Sequence, residues 1–153
     1  TNALGGEDKM LECKEGVYKL IDMFKKFYDD SHGKLVPVRA EVVVGDTDWG
    51  ITGMIDQLFF NEKSGMLEIW DWKTNKAIKK NNKWQQFKKP LSHLDVCELN
   101  TYSLQLSFYR LIVERNTELE LGDSYIVWFN ENNDTYKVMK CFDFRDEILK
   151  IMK

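Results

Sequence analysis

Three apolar segments separated by short turns dominate residues 35–72, and they restrict the fold more than any other feature. Residues 35–44 are rich in valine, residues 49–60 are apolar on both faces, and residues 66–72 are apolar again. The intervening segments 45–48 and 61–65 contain Gly, Asp, Asn and Ser, which are typical of tight turns. The pattern predicts three consecutive strands in an antiparallel meander.

Helical periodicity appears on both sides of these strands. Residues 10–28 carry an apolar stripe at helical spacing, and residues 99–113 repeat that spacing over about four turns. Residues 124–130 and 135–142 resemble a strand pair across the turn 132–134, and residues 143–153 resemble a closing helix. The order α-βββ-α-ββ-α predicts one domain over residues 1–153, of the α/β (α+β) class, with a central mixed sheet flanked by helices.

Composition excludes several classes of protein. The 22 basic and 25 acidic residues give a formal net charge of −3, so the chain lacks the overall basic bias of proteins that wrap nucleic acid. No segment approaches the roughly 20 apolar residues of a membrane helix, and the beginning TNALGGEDK does not resemble a signal peptide. We therefore expect no membrane partner and an intracellular, cytoplasmic location, with bacterial, phage and viral hosts all compatible.

The three cysteines do not form a recognisable motif. Cys13, Cys97 and Cys141 are odd in number and far apart in the sequence, which argues against a disulfide framework and against a cysteine-rich zinc site. We expect three reduced thiols in or near the core.

Two acidic residues and one lysine lie within the apolar strands. Asp56 is flanked by apolar residues, where an unpaired carboxylate is costly to bury and needs a partner or a metal. Asp71 and Lys73 are two residues apart, so both project from one face of a strand, and a neighbouring strand can bring Asp56 beside them. This set matches the needs of metal-assisted phosphodiester hydrolysis, in which carboxylates hold Mg²⁺ or Mn²⁺ and an ammonium positions water or stabilises developing charge. The alternative is a surface ion pair, which Asp-x-Lys often forms on a strand.

A glutamine lies on the apolar face of the second long helix. Gln105 and Tyr109 are four residues apart and therefore share a face, which also carries Tyr102 and Ile112. A buried amide needs hydrogen-bond partners, so Gln105 either belongs to a polar network in the core or points into a site.

A run of lysines follows the third strand. Between Asp71 and Asp95 there is no acidic residue, whereas seven lysines occur there. This segment predicts contact with phosphates and, through Trp84 and Phe87, stacking on an unpaired base; the alternative is a solvated loop that aids solubility. The residues that we expect to bind substrate are Thr74, Lys76, Lys79, Lys80, Lys83 and Trp84.

Four motifs occur in a characteristic order: Glu41, then Gly53-Met-Ile-Asp56, then Asp71-Trp-Lys73-Thr74, then Gln105-Leu-Ser-Phe-Tyr109. In order and rough spacing this resembles the PD-(D/E)XK nuclease superfamily, in particular its RecB-type exonuclease branch. The motifs span residues 41–109. The resemblance implies a restriction-endonuclease-like core, in agreement with the mixed sheet read from periodicity.

The resemblance also implies roles for individual residues. Asp56 and Asp71 would be metal ligands together with the backbone carbonyl of Trp72, and Lys73 would contact the scissile phosphate or the attacking water. Glu41 would lie in or beside the metal shell.

Further residues match the second half of the pattern. Gln105 and Tyr109 resemble the pair that orders the active site and the strand near the cleavage point, and Thr74 matches a threonine that often follows the lysine. The chain departs from the pattern in two respects. Neither His32 nor His93 lies on the first helix, where relatives carry a histidine ligand. The cysteines are not clustered, so we expect no iron–sulphur cluster.

The resemblance implies a Mg²⁺- or Mn²⁺-dependent deoxyribonuclease, with exonuclease favoured over endonuclease action. Its partner would be DNA, as a single strand or as duplex ends, within a larger helicase–nuclease or replication and repair assembly. Two alternatives stay open. One is a catalytically silent nucleic-acid-binding module of the same fold, motivated by the missing histidine, and the other is an endonuclease on RNA or structured DNA.

Overall fold

The elements follow one another in the predicted order. A computed structural model describes the backbone of residues 2–152 and the side chains of residues 14–152. Within that part the elements are α1 Asn2–Ser31, β1 Leu35–Asp46, β2 Ile51–Asn61, β3 Met66–Lys73, α2 Glu98–Asn116, β4 Leu121–Trp128, β5 Lys137–Lys140 and α3 Arg145–Ile151.

The five strands form one mixed sheet in the order β1-β2-β3-β4-β5. The first three strands are antiparallel neighbours, which confirms the meander, and β4 and β5 are also antiparallel. β3 and β4 are parallel, and the segment that connects them contains α2. The α+β class with a mixed sheet flanked by helices is therefore confirmed.

Helices cover both faces of the sheet, so the central strands are buried on both sides. On one face α1 contributes Met23 and Phe27, which pack with Trp70 of β3 and Val127 of β4. On the other face α2 packs against the neighbouring strand positions, and that cluster includes Leu106, Ile112, Ile69 and Ile126. Because alternate residues of β3 point to opposite faces, the side chains of Asp71 and Lys73 lie on the same face as Ile69, which is the face that α2 covers.

Strand register brings the acidic residues of three strands to one level. Val42 pairs with Ile55 and Ala40 with Gln57, so Glu41 lies level with Asp56. Gln57 pairs with Trp70, and continuing that register sets Asp56 level with Asp71.

The described thiols lie in the interior. Cys97 and Cys141 are free and buried, as expected, whereas the side chain of Cys13 lies outside the described residues. Burial raises the pKa of Cys141 to about 12, which makes this thiol a poor nucleophile. No helix in the described part of the chain is both long enough and apolar enough to cross a membrane.

Candidate active site

Asp56, Asp71 and Lys73 meet at the C-terminal end of β3. Asp56 Oδ2 accepts the Trp72 N–H at 3.0 Å, which holds this carboxylate beside Asp71. Lys73 Nζ lies 2.8 Å from Asp71 Oδ2. The side chains of Asp71 and Lys73 are only 6% and 20% exposed, so the pair is not the surface ion pair that the Asp-x-Lys spacing also allows.

The electrostatics of this cluster are unusual for a purely structural pair. Burial raises the pKa of Asp71 to about 6; Lys73 opposes the shift, and the Asp56 carboxylate reinforces it. Burial works to lower the pKa of Lys73, but the Asp71 carboxylate offsets this and the net shift is upward. Lys73 is therefore charged at neutral pH, between one close carboxylate and a second one nearby.

The donor set fits a hard divalent cation. Asp71 Oδ2 is buried, and among the described residues its close donor is the Lys73 ammonium, which contacts it at 2.8 Å outside hydrogen-bond geometry. Carboxylate oxygens with free acceptor capacity are the ligands that Mg²⁺ and Mn²⁺ prefer. A cation held by Asp56 and Asp71 would also relieve the repulsion between the two carboxylates.

Glu41 does not join this cluster. Its side chain is exposed, and its backbone adopts a left-handed conformation with φ of 52°, which interrupts the regular strand beside Asp56. Among the described side chains, no three His, Cys, Asp or Glu residues come close enough together to hold a metal ion. The structure thus brings two of the three expected acidic residues together.

A tyrosine that the motifs do not include contacts the lysine. Lys73 Nζ lies 4.4 Å from the centre of the Tyr102 ring, at a distance suited to a cation–π interaction. The Asn75 side-chain amide donates to the Tyr102 hydroxyl, and the Asn75 carbonyl accepts hydrogen bonds from Trp128 Nε1 and Asn130 Nδ2, each at 2.7 Å. The segment that follows β3 is therefore fixed to the end of β4. In the sequence, Tyr102 is indicated as a site residue only because it shares a helix face with Gln105. Nothing in the sequence indicates Asn75.

Gln105 and Tyr109 contact each other rather than the acidic cluster. Gln105 Nε2 donates to the Tyr109 hydroxyl at 3.0 Å. The Tyr109 ring packs against Gly53 of β2, where an added Cβ would lie 2.2 Å from Cε1 of the ring. Only glycine allows this approach, which sets the position of α2 over β2 on the side of the sheet that carries Asp71.

The lysine loop, residues 74–89, is folded back on the chain. The Asn82 N–H donates to Asp95, the Asn82 side-chain amide donates to the Val96 carbonyl, and the Leu99 N–H donates to the Lys79 carbonyl. The expected substrate-binding residues of this loop are all exposed: Thr74, Lys76, Lys79, Lys80, Lys83 and Trp84.

The charges and aromatic rings of the loop differ in their surroundings. None of its lysines lies within 4 Å of an acidic group among the described residues. Trp84 is 93% exposed, whereas Phe87 is half-buried against the cluster formed by α2 and α3. Trp84, and not Phe87, is therefore free to stack on a base.

Comparison with known proteins assigns the family. A profile of the PD-(D/E)XK nuclease superfamily matches residues 10–148. The chain belongs to this superfamily. The five-stranded mixed sheet with helices on both faces agrees with the restriction-endonuclease-like core of these enzymes. No curated protein matches the chain.

Membership in the PD-(D/E)XK superfamily indicates a nuclease, with a nucleic acid as its substrate. Enzymes of this superfamily generally use divalent metals such as Mg²⁺, which agrees with the oxygen donors of Asp56 and Asp71. The matched region contains all four motifs.

Proposed function

We propose that this chain is a Mg²⁺- or Mn²⁺-dependent deoxyribonuclease of the RecB type that acts as an exonuclease on DNA ends. The observation that carries the proposal is the Asp71 carboxylate, buried between Asp56 and the Lys73 ammonium. A structural ion pair needs only one carboxylate, and a second one beside it costs stability. A divalent cation bound by both carboxylates would offset their mutual repulsion and explain why they lie side by side.

The residues around the cation would have different roles. Asp56 and Asp71 would hold it together with the Trp72 backbone carbonyl, and Glu41 would lie beside this shell. When bound, the cation supplies Lewis-acid polarisation of a phosphoryl oxygen and lowers the pKa of bound water.

Lys73 contributes charge at a fixed position. Its ammonium contacts both the Asp71 carboxylate and the Tyr102 ring. The positive charge is therefore already in position, and little reorganisation of the site is needed when negative charge develops on the phosphoryl oxygens. Gln105 and Tyr109 order the active site by fixing α2 over β2.

The remaining motifs support a class of substrate and exonuclease action. The Gln105 and Tyr109 pair supports RecB-type exonuclease action. The lysine loop supports DNA as a single strand or as duplex ends, and the roles that suit such an enzyme are replication, recombination and repair within a helicase–nuclease assembly. The loop residues that would bind the strand are Thr74, Lys76, Lys79, Lys80, Lys83 and Trp84.

Cleavage of end-labelled linear DNA tests the proposal. Wild-type protein should release label from single- or double-stranded DNA with Mg²⁺ or Mn²⁺ and not with EDTA. Lys73→Ala and Asp71→Asn should each reduce the rate at least about 100-fold, because Lys73 stabilises charge at the reacting phosphate and Asp71 would hold the cation that does the same. Asp71→Asn should still bind DNA.

Lys140→Ala is the matched control, since it breaks the exposed pair of Lys140 and Asp123 on the same sheet and should leave cleavage unchanged. A closed circle of single-stranded DNA separates the alternatives. Cutting of the circle would replace the exonuclease with an endonuclease. A folded wild-type protein that binds DNA but cuts no substrate would be a binding module.

A further inference from the structure

A cleft of about 370 Å³ opens between the lysine loop and the first turns of α2. We call it the α2 cleft, and its lining includes Lys79, Asn82, Val96, Glu98, Thr101 and Tyr102. Tyr102 belongs to both the α2 cleft and the active site, because its ring also contacts the Lys73 ammonium at 4.4 Å. The α2 cleft therefore adjoins the position of the proposed catalytic lysine.

The walls of the α2 cleft are held together without a ligand. The Lys79 N–H donates to Glu98 Oε2 at 3.2 Å, and the Leu99 N–H donates to the Lys79 carbonyl at 3.1 Å. Asn82 Nδ2 donates to the Val96 carbonyl at 3.0 Å. A ligand that enters does not have to order either wall, which lowers the free-energy cost of binding.

The chemistry of the lining matches one nucleotide. Val96 and the Tyr102 ring offer apolar surface to a base, and the exposed Lys79 offers a cation to a phosphate. The Thr101 hydroxyl donates to the Cys97 carbonyl at 2.9 Å, so its oxygen is left to accept from an amino group of a base. The volume is at the lower end of the range for sites that bind small molecules.

We propose that the α2 cleft binds the base and phosphate of a nucleotide next to the cleaved phosphodiester, in an unpaired DNA strand. A paired and stacked base cannot enter a cleft of this size, so the α2 cleft selects single-stranded DNA at that position. The inference rests on the proposed nuclease function and adds the form of the substrate.

The test measures binding with EDTA present, so that it does not depend on cleavage. A fluorescein-labelled single strand of 12 nucleotides is prepared with one base removed at each position in turn, and its affinity is read by fluorescence anisotropy. For the wild-type protein one position should be sensitive, with about five- to fifty-fold weaker binding when its base is missing.

Thr101→Phe fills the α2 cleft and should weaken binding of the intact strand by a similar factor. In this variant, removal of the base at the sensitive position should cause no further loss of affinity. Thr117→Phe is the matched control, because Thr117 is also exposed, directly after the last residue of α2, and donates to the carbonyl four residues back. It should bind like the wild type. If Thr101→Phe does not fold, Thr101→Met fills less of the α2 cleft and should give the same pattern.

The role of the α2 cleft would be overturned if removal of a base weakened binding equally at every position. It would also be overturned if the loss of affinity at the sensitive position persisted in Thr101→Phe. A wild-type protein that shows the sensitive position but cuts no DNA with Mg²⁺ or Mn²⁺ would refute the nuclease and leave the binding site standing. The two failures are therefore distinguishable.

Discussion

At the scale of single residues, Lys73 is held from two sides, by the Asp71 carboxylate and by the Tyr102 ring. We expect Tyr102→Leu to lower kcat about three- to thirty-fold, because a buried cation–π contact contributes about 0.5–2 kcal/mol and its loss frees the ammonium. Tyr102→Phe keeps the ring and should retain most of kcat. Single-turnover cleavage at saturating DNA measures this.

Loss of a ring also destabilises a protein, so a control is needed. Tyr125 stacks on Trp70 on the other face of the sheet, with ring centres 4.6 Å apart. Tyr125→Leu should lower the midpoint of thermal unfolding without lowering kcat. Equal kcat values for Tyr102→Leu and the wild type would show that the ring does not position Lys73.

The same residues show how far the sequence predicts the site. Asp71 and Lys73 meet because the period of a strand is two, and Asp56 reaches them because short turns set the order of strands. Tyr102 was not predicted as a contact of Lys73, since that depends on how α2 crosses the sheet. Glu41 lies level with Asp56 but has a left-handed backbone, which the alternation of a strand does not anticipate.

At the scale of elements, periodicity predicts the type of each helix and strand better than its ends. Helix α1 begins at Asn2, whereas the apolar stripe predicts a beginning at residue 10. Residues 2–9 include two glycines and lack that stripe, so periodicity gives no signal for a helix there. Strand β1 continues to Asp46 rather than ending at residue 44. Its last residue is charged yet buried, which only a tertiary partner explains.

That partner lies at the C-terminal end of α2. Arg115 Nε and Asn116 Nδ2 donate to Asp46 Oδ2 at 2.9 and 3.0 Å, and the Trp49 N–H donates to Oδ1 at 3.0 Å. The Arg115 guanidinium holds the pKa of Asp46 at about 2, although burial opposes the shift. These contacts tie the β1–β2 turn to α2.

The lowered pKa predicts a dependence of stability on pH. The ionised Asp46 should stabilise the fold fully above about pH 4, and the contribution should disappear as the pH falls through about 2. Asp46→Asn should lower the unfolding midpoint by a few degrees at pH 7, and the difference from the wild type should shrink below about pH 4. Circular dichroism melts across this pH range measure both.

Asp48→Asn is the control for that series. Asp48 lies 3.9 Å from the same arginine but is 86% exposed, and an exposed pair contributes little. It should change the midpoint only slightly at any pH. A difference between Asp46→Asn and the wild type that stays constant down to pH 2 would contradict the ion pair as its cause.

At the scale of the whole molecule, a small net charge conceals an uneven distribution. The formal net charge is −3, yet the lysine loop is free of acidic residues and begins directly after the proposed catalytic strand. In the described structure its lysines are exposed and have no acidic partner. Local charge, rather than the total, decides where a phosphate backbone binds.

Replacing Lys79, Lys80 and Lys83 by glutamine should therefore weaken binding of single-stranded DNA and flatten its salt dependence. Each phosphate contact releases a counterion, so the loss of three should reduce the slope of log K against log salt by about 2. The control replaces three exposed lysines elsewhere, Lys25, Lys63 and Lys150, and likewise takes the net charge from −3 to −6. Equal slopes for the two triple variants would mean that only the total charge matters, whereas a lower slope confined to the loop variant would locate the path of the DNA along the loop.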